Sequence, residues 1–334
     1  GRRFESATAH HELLFIIRNM RRIIRQIPIA FFLIFGITFI PFLPRSVILW
    51  LASIAGRLAY LLAWGQRRIA EANIELVFGT STPGEIKKNW IQKSFISLAL
   101  TILDLFWFAF WTKQRLRKYV HWDKSLEEII KIRPIIFATA HFGNWEILGK
   151  IVSLLGGGCL CVAMPVHGIF TNWLLNQLRS NCGEKIIKRK GAVRGLLREL
   201  HQNGIVGLVI DQNVVPRDGG VQMNFFELPT FISPVAAQLA QRTNASIIVL
   251  FCLPEFTSGK YNIHFYEPLK VREEDDPMEV TARIYSLIEE IIKNEPQYWL
   301  WSYKRWHYRL EKDETSRFPF YTKVLPKDKD KHNR

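Results

Sequence analysis

At 334 residues the chain is long enough to bury a full core, in one large domain or two. Its residues are 48% hydrophobic and 13% aromatic, and Lys plus Arg exceed Asp plus Glu by 45 to 30, a greasy and basic balance that fits an anionic lipid surface better than the cytosol at large. Nucleic acid is the competing anion, and the lack of zinc-finger spacing, of an RNP1-like aromatic stretch and of a basic tract separate from apolar sequence argues against it.

In chain order, Arg18, Arg21, Arg22 and Arg25 recur at helical spacing, with Leu13, Ile16, Ile17, Met20, Ile23 and Ile24 covering the other side, which predicts a basic amphipathic helix of the interfacial kind. Ile27 to Leu43 follows without a charge. As a helix it would reach about 26 Å against a hydrocarbon core of about 30 Å, so it either crosses as a short span or lies in the interface. Arg45 and Arg57 beyond it blunt any positive-inside argument for orientation. Thr82-Pro83-Gly84-Glu85 carries a capping-box signature and opens a helix that runs into Leu105 to Trp111 (LFWFAFW), an aromatic density that suits a headgroup-level belt or, equally, plain core.

From Arg117 onward the pattern changes. Short apolar runs at 134–140, 157–164, 205–211 and 246–253 read as strands, alternating with helices near 145–155, 171–181, 192–203 and 232–243, and a last helix covers 276–293. Such alternation predicts an α/β fold with a mainly parallel sheet flanked by helices. The expected organisation is a membrane-associated helical region over 1–70, an α/β domain over 71–322 and a charged tail over 323–334. Cys159, Cys161, Cys182 and Cys252 show no CxxC pair and no metal-ligand spacing, so they read as reduced and buried, and no metal is expected.

One junction carries most of the chemistry. His141-Phe142-Gly143-Asn144-Trp145-Glu146 links the strand ending at Ala140 to the helix starting at Trp145, with Asn144 as the expected N-cap. Glu146, in the first helical turn, is expected to hold one ring nitrogen of His141 and leave the other free to accept a proton. The plainer alternative is an acid favoured by the helix dipole and a structural histidine. Asp211 ends another strand, so both polar groups should emerge at the carboxyl edge of the sheet, where parallel folds bind ligands.

HFGNWE, Arg179 within NQLRSN, the pair Asp211-Gln212, the segment Met223 to Pro229 (MNFFELP) and the run Pro296 to Trp301 with Lys304-Arg305-Trp306 occur in the order seen in a known family. On these residues the chain resembles the lipid A biosynthesis lauroyl/myristoyl acyltransferases, a branch of the glycerolipid acyltransferase superfamily marked by a histidine and an acid with four residues between them. Three departures from the family pattern are Tyr303 in place of a common His, Glu227 near a usual Gly, and Met164-Pro165-Val166-His167-Gly168 without the usual Arg-Pro and Asn-Pro elements.

The resemblance implies a glycerolipid acyltransferase-like fold at the bacterial inner (cytoplasmic) membrane, facing the cytoplasm. It implies transfer of an acyl chain from a thioester on acyl-carrier protein or coenzyme A to a glycolipid hydroxyl, with a lipid A precursor as the expected acceptor. Another glycolipid acceptor, a hydrolase using the same base on water, and a non-catalytic lipid-binding protein of the same fold are the alternatives. A thioester is already activated, so the chain need supply only a base, and no cofactor is expected. His141 is then the expected base and Glu146 its orienting acid. The backbone amides of Gly143 and Asn144 are candidate oxyanion donors. Arg179 would bind phosphate or pair with Asp211, while Asp211 and Gln212 support the site. Lys304 and Arg305 suit phosphate contacts or plain surface charge.

Overall fold

The computed structural model describes residues 32–164, 168–311 and 317–325. The arginine-rich helix, the first residues of the 27–43 run, positions 165–167 of the departing segment and most of the charged tail therefore lie outside the described residues.

Residues 32–39 are helical and close in a turn at Ile40–Phe42. Three helices follow: α1 (Arg45–Leu62), α2 (Trp64–Phe78) and α3 (Gly84–Trp107). Helix α1 buries Ile48, Ala52, Gly56 and Tyr60, a stripe at four-residue spacing. Gly56 is required there, because a Cβ would sit 2.4 Å from the Ile96 Cα of α3. The opposite face is also apolar, with Trp50, Leu58, Leu61 and Leu62 exposed. The expected capping box does not form: Pro83 is the N-cap of α3, and the Thr82 hydroxyl instead donates to the carbonyl of Phe78. The aromatic run divides as well. Leu105, Phe106, Trp107 and Phe108 are core, and only Phe110 and Trp111 face outward, as the chain leaves α3 and turns through Trp111 into α4 (Thr112–Tyr119).

A seven-stranded sheet follows in the order β1-β9-β8-β2-β5-β3-β4. Its strands are β1 (Val120–His121), β2 (Ile135–Thr139), β3 (Cys159–Ala163), β4 (Glu184–Lys188), β5 (Ile205–Val209), β8 (Ser246–Glu255) and β9 (Lys260–Phe265). All neighbouring pairs are parallel except β8 with β9. Strand alternation splits the core in two. Ile136, Ala138, Val206, Leu208, Ile247 and Val249 enter one cluster, and Ile135, Phe137, Ile205, Ile248 and Leu250 the other. A central strand covered on both faces reads as a continuous apolar run, which is why β2 and β5 were visible in the sequence.

The flanking helices are α5 (Ser125–Ile129), α6 (Trp145–Gly156), α7 (Ile169–Arg179), α8 (Ala192–His201), α9 (Val235–Thr243) and α10 (Pro277–Asn294). Buried residues of α6 and α7 join the second cluster, and those of α8, α9 and α10 join the first. A hairpin of β6 (Val221–Phe225) and β7 (Leu228–Ile232) turns through Phe226 and Glu227, both at positive φ. Glu227 thus adopts the left-handed backbone that glycine tolerates best. Lys323–Val324 (β11), within the stretch expected to be tail, pairs in parallel with Tyr308–Arg309 (β10).

Candidate active site

Register places the central pair. Thr139 of β2 lies opposite Val209 of β5, so two residues further on His141 and Asp211 leave the carboxyl edge of the sheet side by side. His141 Nδ1 lies 2.6 Å from Asp211 Oδ1. The acid is almost fully enclosed, while the imidazole side chain keeps 19% of its surface exposed. Asp211 Oδ2 accepts from the Trp299 indole N–H at 2.9 Å and pairs with Arg305 Nη2 at 2.9 Å. Burial alone would raise the Asp211 pKa. The facing charges of His141 and Arg305, with hydrogen bonds from His141 and Trp299, outweigh it and hold the carboxyl well below the usual range.

Arg305 is therefore no surface charge, as the sequence left open. It is 2% exposed, and its guanidinium packs against the rings of Phe225, Trp299 and Tyr303, while Nε and Nη1 find no hydrogen-bond acceptor among the described residues. Gln212, next in chain to Asp211, brings its amide nitrogen to 3.3 Å from His141 Nε2. With the Nδ1 proton held toward Asp211, Nε2 carries the lone pair, and the Gln212 amide donates weakly to it.

Glu146 does not steer the histidine. As the second residue of α6 its carboxylate is carried toward the end of α7, where it meets Arg179 in a forked pair: Arg179 Nε to Oε2 at 2.9 Å and Nη2 to Oε1 at 2.6 Å. Burial would lower the Arg179 pKa, but the Glu146 charge and hydrogen bonds raise it on balance. Arg179 pairs with Glu146 and not with Asp211, the partner considered from the sequence. Lys150, one turn along α6 and 1% exposed, braces this corner by donating to the carbonyls of Leu178 and Arg179 and to Asn181 Oδ1.

The expected oxyanion donors are already occupied. The Gly143 N–H donates to the Tyr298 carbonyl at 2.9 Å and the Asn144 N–H to the Cys252 carbonyl at 2.8 Å, which sews the turn to β8 and to the segment carrying Trp299. Gly143 has φ +58, and a Cβ there would approach the Cys252 carbonyl oxygen to 2.1 Å, so only glycine fits between the strands. Asn144 is the N-cap of α6, as expected, accepting from the Ile147 N–H at 3.1 Å. Its Nδ2 donates to Asp104 Oδ2 at 3.2 Å and to the Tyr261 hydroxyl at 3.1 Å. Asp104 is in turn held by Arg45 of α1 and by Tyr261. The sequence reading passed over Asp104 and Lys150, although each is a charge set in an apolar stretch. Arg45, read as a topology charge, is 8% exposed and structural.

Among the described residues no cluster of His, Cys, Asp or Glu could hold a metal ion. What the arrangement offers is a half-buried imidazole with one nitrogen fixed by a buried, ionised acid and the other within reach of the Gln212 amide.

A model of the family described as bacterial lipid A biosynthesis acyltransferase matches residues 18–308. A lipid A biosynthesis palmitoleoyltransferase of Escherichia coli (strain K12) is 22% identical over 271 residues, covering 80% of this chain and 87% of that protein. A lipid A biosynthesis lauroyltransferase of the same organism is 22% identical over 274 residues, with 80% and 88% covered, and a lipid A biosynthesis acyltransferase of Shigella flexneri is similar to the same extent as the first.

Proposed function

The chain belongs to the bacterial lipid A biosynthesis acyltransferase family, and from that premise we propose how its own residues carry out the transfer. It is an acyltransferase that places a fatty acyl chain on a lipid A precursor. His141 acts as the general base: Nε2 takes the proton from the acceptor hydroxyl as the oxygen attacks the carbonyl of an acyl thioester, and the thiol leaves with a proton returned from the imidazolium. Asp211 holds the ring by Nδ1 and stabilises its charged form. Gln212 holds the idle Nε2 until the hydroxyl displaces its amide. The Glu146–Arg179 pair fixes the α6–α7 corner beside the base and keeps a guanidinium edge for substrate phosphate.

The observation that supports this reading is the contact between His141 and an acid that is itself buried and anchored from two sides. The donor is an acyl thioester on acyl-carrier protein, for which the excess of Lys and Arg supplies charge complementarity. No cofactor is needed. The protein works at the cytoplasmic face of the inner membrane, with the apolar outer face of α1 in the interface. His141→Ala is expected to lower acceptor-dependent product formation by about 10²- to 10⁴-fold with folding and vesicle binding unchanged. Retained turnover would remove the base assignment, and thioester release independent of acceptor would favour a hydrolase.

A further inference from the structure

A cavity of about 310 Å³ lies away from His141, between the start of α1, the end of α3 and the side of α4. Arg45, Trp107, Gln114, Arg115, Lys118 and Tyr119 line it. Helix α4 reads TKQRLRKY, with Lys113, Arg115, Arg117 and Lys118 and no acid. The charge of Arg45 is taken up by Asp104. Arg115 stacks over the Trp107 ring at 4.0 Å and gives its guanidinium hydrogens to the carbonyls of Trp107 and Pro41. Burial pulls its pKa down, and among the described residues neither Arg115 nor Lys118 is ion-paired with a carboxylate. The cavity thus holds uncompensated positive charge, which favours an anion.

Its surroundings say which kind. Phe42, Phe110 and Trp111 are exposed and touch one another beside α4, with ring centroids 5.9 Å apart for Phe42 and Phe110 and 5.8 Å for Phe42 and Trp111. Aromatic side chains beside lysine and arginine form the pattern of a headgroup-level contact, with rings among the upper acyl carbons and cations at phosphate height. We propose that this cavity is a head-group site for an anionic phospholipid, with the phosphate between Arg115 and Lys118 and the glycerol end of the chains against Phe42 and Trp111. The site is separate from the catalytic dyad, and the proposal does not depend on which acyl group is moved.

Titration of the full-length protein in detergent with monomeric dihexanoyl phosphatidylglycerol tests it. Wild type should bind it, and Lys118→Gln should bind about fivefold more weakly, the loss expected for one cation at a phosphate surface. The control Lys270→Gln changes net charge equally at an exposed position that does not line the cavity, and should bind as wild type. Dihexanoyl phosphatidylcholine and inorganic phosphate should not distinguish wild type from Lys118→Gln. Equal losses in the two lysine variants would reduce the site to unspecific charge and overturn the proposal. So would inorganic phosphate competing as well as the lipid, or unchanged lipid binding in Lys118→Gln accompanied by a raised KM for the acyl-carrier-protein donor, which would make the patch a protein-docking surface. The lipid and phosphate titrations are binding measurements, so they fail independently of the base assignment at His141.

Discussion

Two carboxylates near His141 exchange the roles expected of them. A one-dimensional reading pairs His141 with Glu146 because they are close in sequence. The sheet instead pairs it with Asp211, 70 positions away, because adjacent parallel strands bring their ends together. The sequence marked both ends of that contact as strand termini but carried no information on which strand lies next to which. Asp211→Asn is expected to reduce transfer by on the order of 10²- to 10⁴-fold, since the amide no longer holds the proton on Nδ1 or stabilises imidazolium. The same variant tests linkage. The folded-state pKa of Asp211 lies below its unfolded value of about 3.9, so its contribution to stability is present above that pH and is lost as pH falls through and below it. Denaturant melts of wild type and Asp211→Asn should differ most near neutrality and converge below about pH 4; a gap independent of pH would show that the Asp211 charge is not what separates them.

At the scale of elements, α6 is placed by its first residues. Asn144 caps the helix, donates to Asp104 and Tyr261, and gives its backbone N–H to β8, so one residue fixes the angle at which α6 leaves the sheet. Burial and the Asp104 charge push the Tyr261 phenol well up, which keeps it a hydrogen-bond donor to Asp104. Asn144→Ala is expected to cost about 2–4 kcal/mol, from a lost cap and from a buried carboxylate deprived of a donor, measured by urea unfolding. The cap was legible, because Asn before a helical apolar pattern has a local cause. Its second set of partners was not, since Asp104 and Tyr261 come from distant segments. Two strands away from the sheet centre were missed for a related reason: β4 (EKIIK), at one edge, and β9 (KYNIHF), beside the two-residue β1, are half-covered and polar at alternate or terminal positions, so they lack the continuous run that marked β2 and β5.

For the whole molecule, the division into apolar N-terminal helices and an α/β body was visible in composition, because the change in texture near residue 117 reflects a change in surroundings. What composition could not divide was each helix into two apolar faces. Helix α1 is long and apolar enough to cross a membrane, at 18 residues and mean hydropathy 1.4, yet one side packs on α3 and its first residue is bound to Asp104. The double variant Leu58→Glu/Leu62→Glu should fold with an unchanged Tm, since both side chains are exposed, and should lose vesicle association by on the order of tenfold or more, measured by co-sedimentation.

The chain of contacts from Arg45 through Asp104 to Asn144 joins α1 to the histidine turn by side chains that are all buried. On the function proposed above, with the outer face of α1 in the interface, such a strut would hold the imidazole at a constant height over the lipid. Hydroxyls on a membrane-bound sugar would then be sorted by how far each one stands from the acyl region.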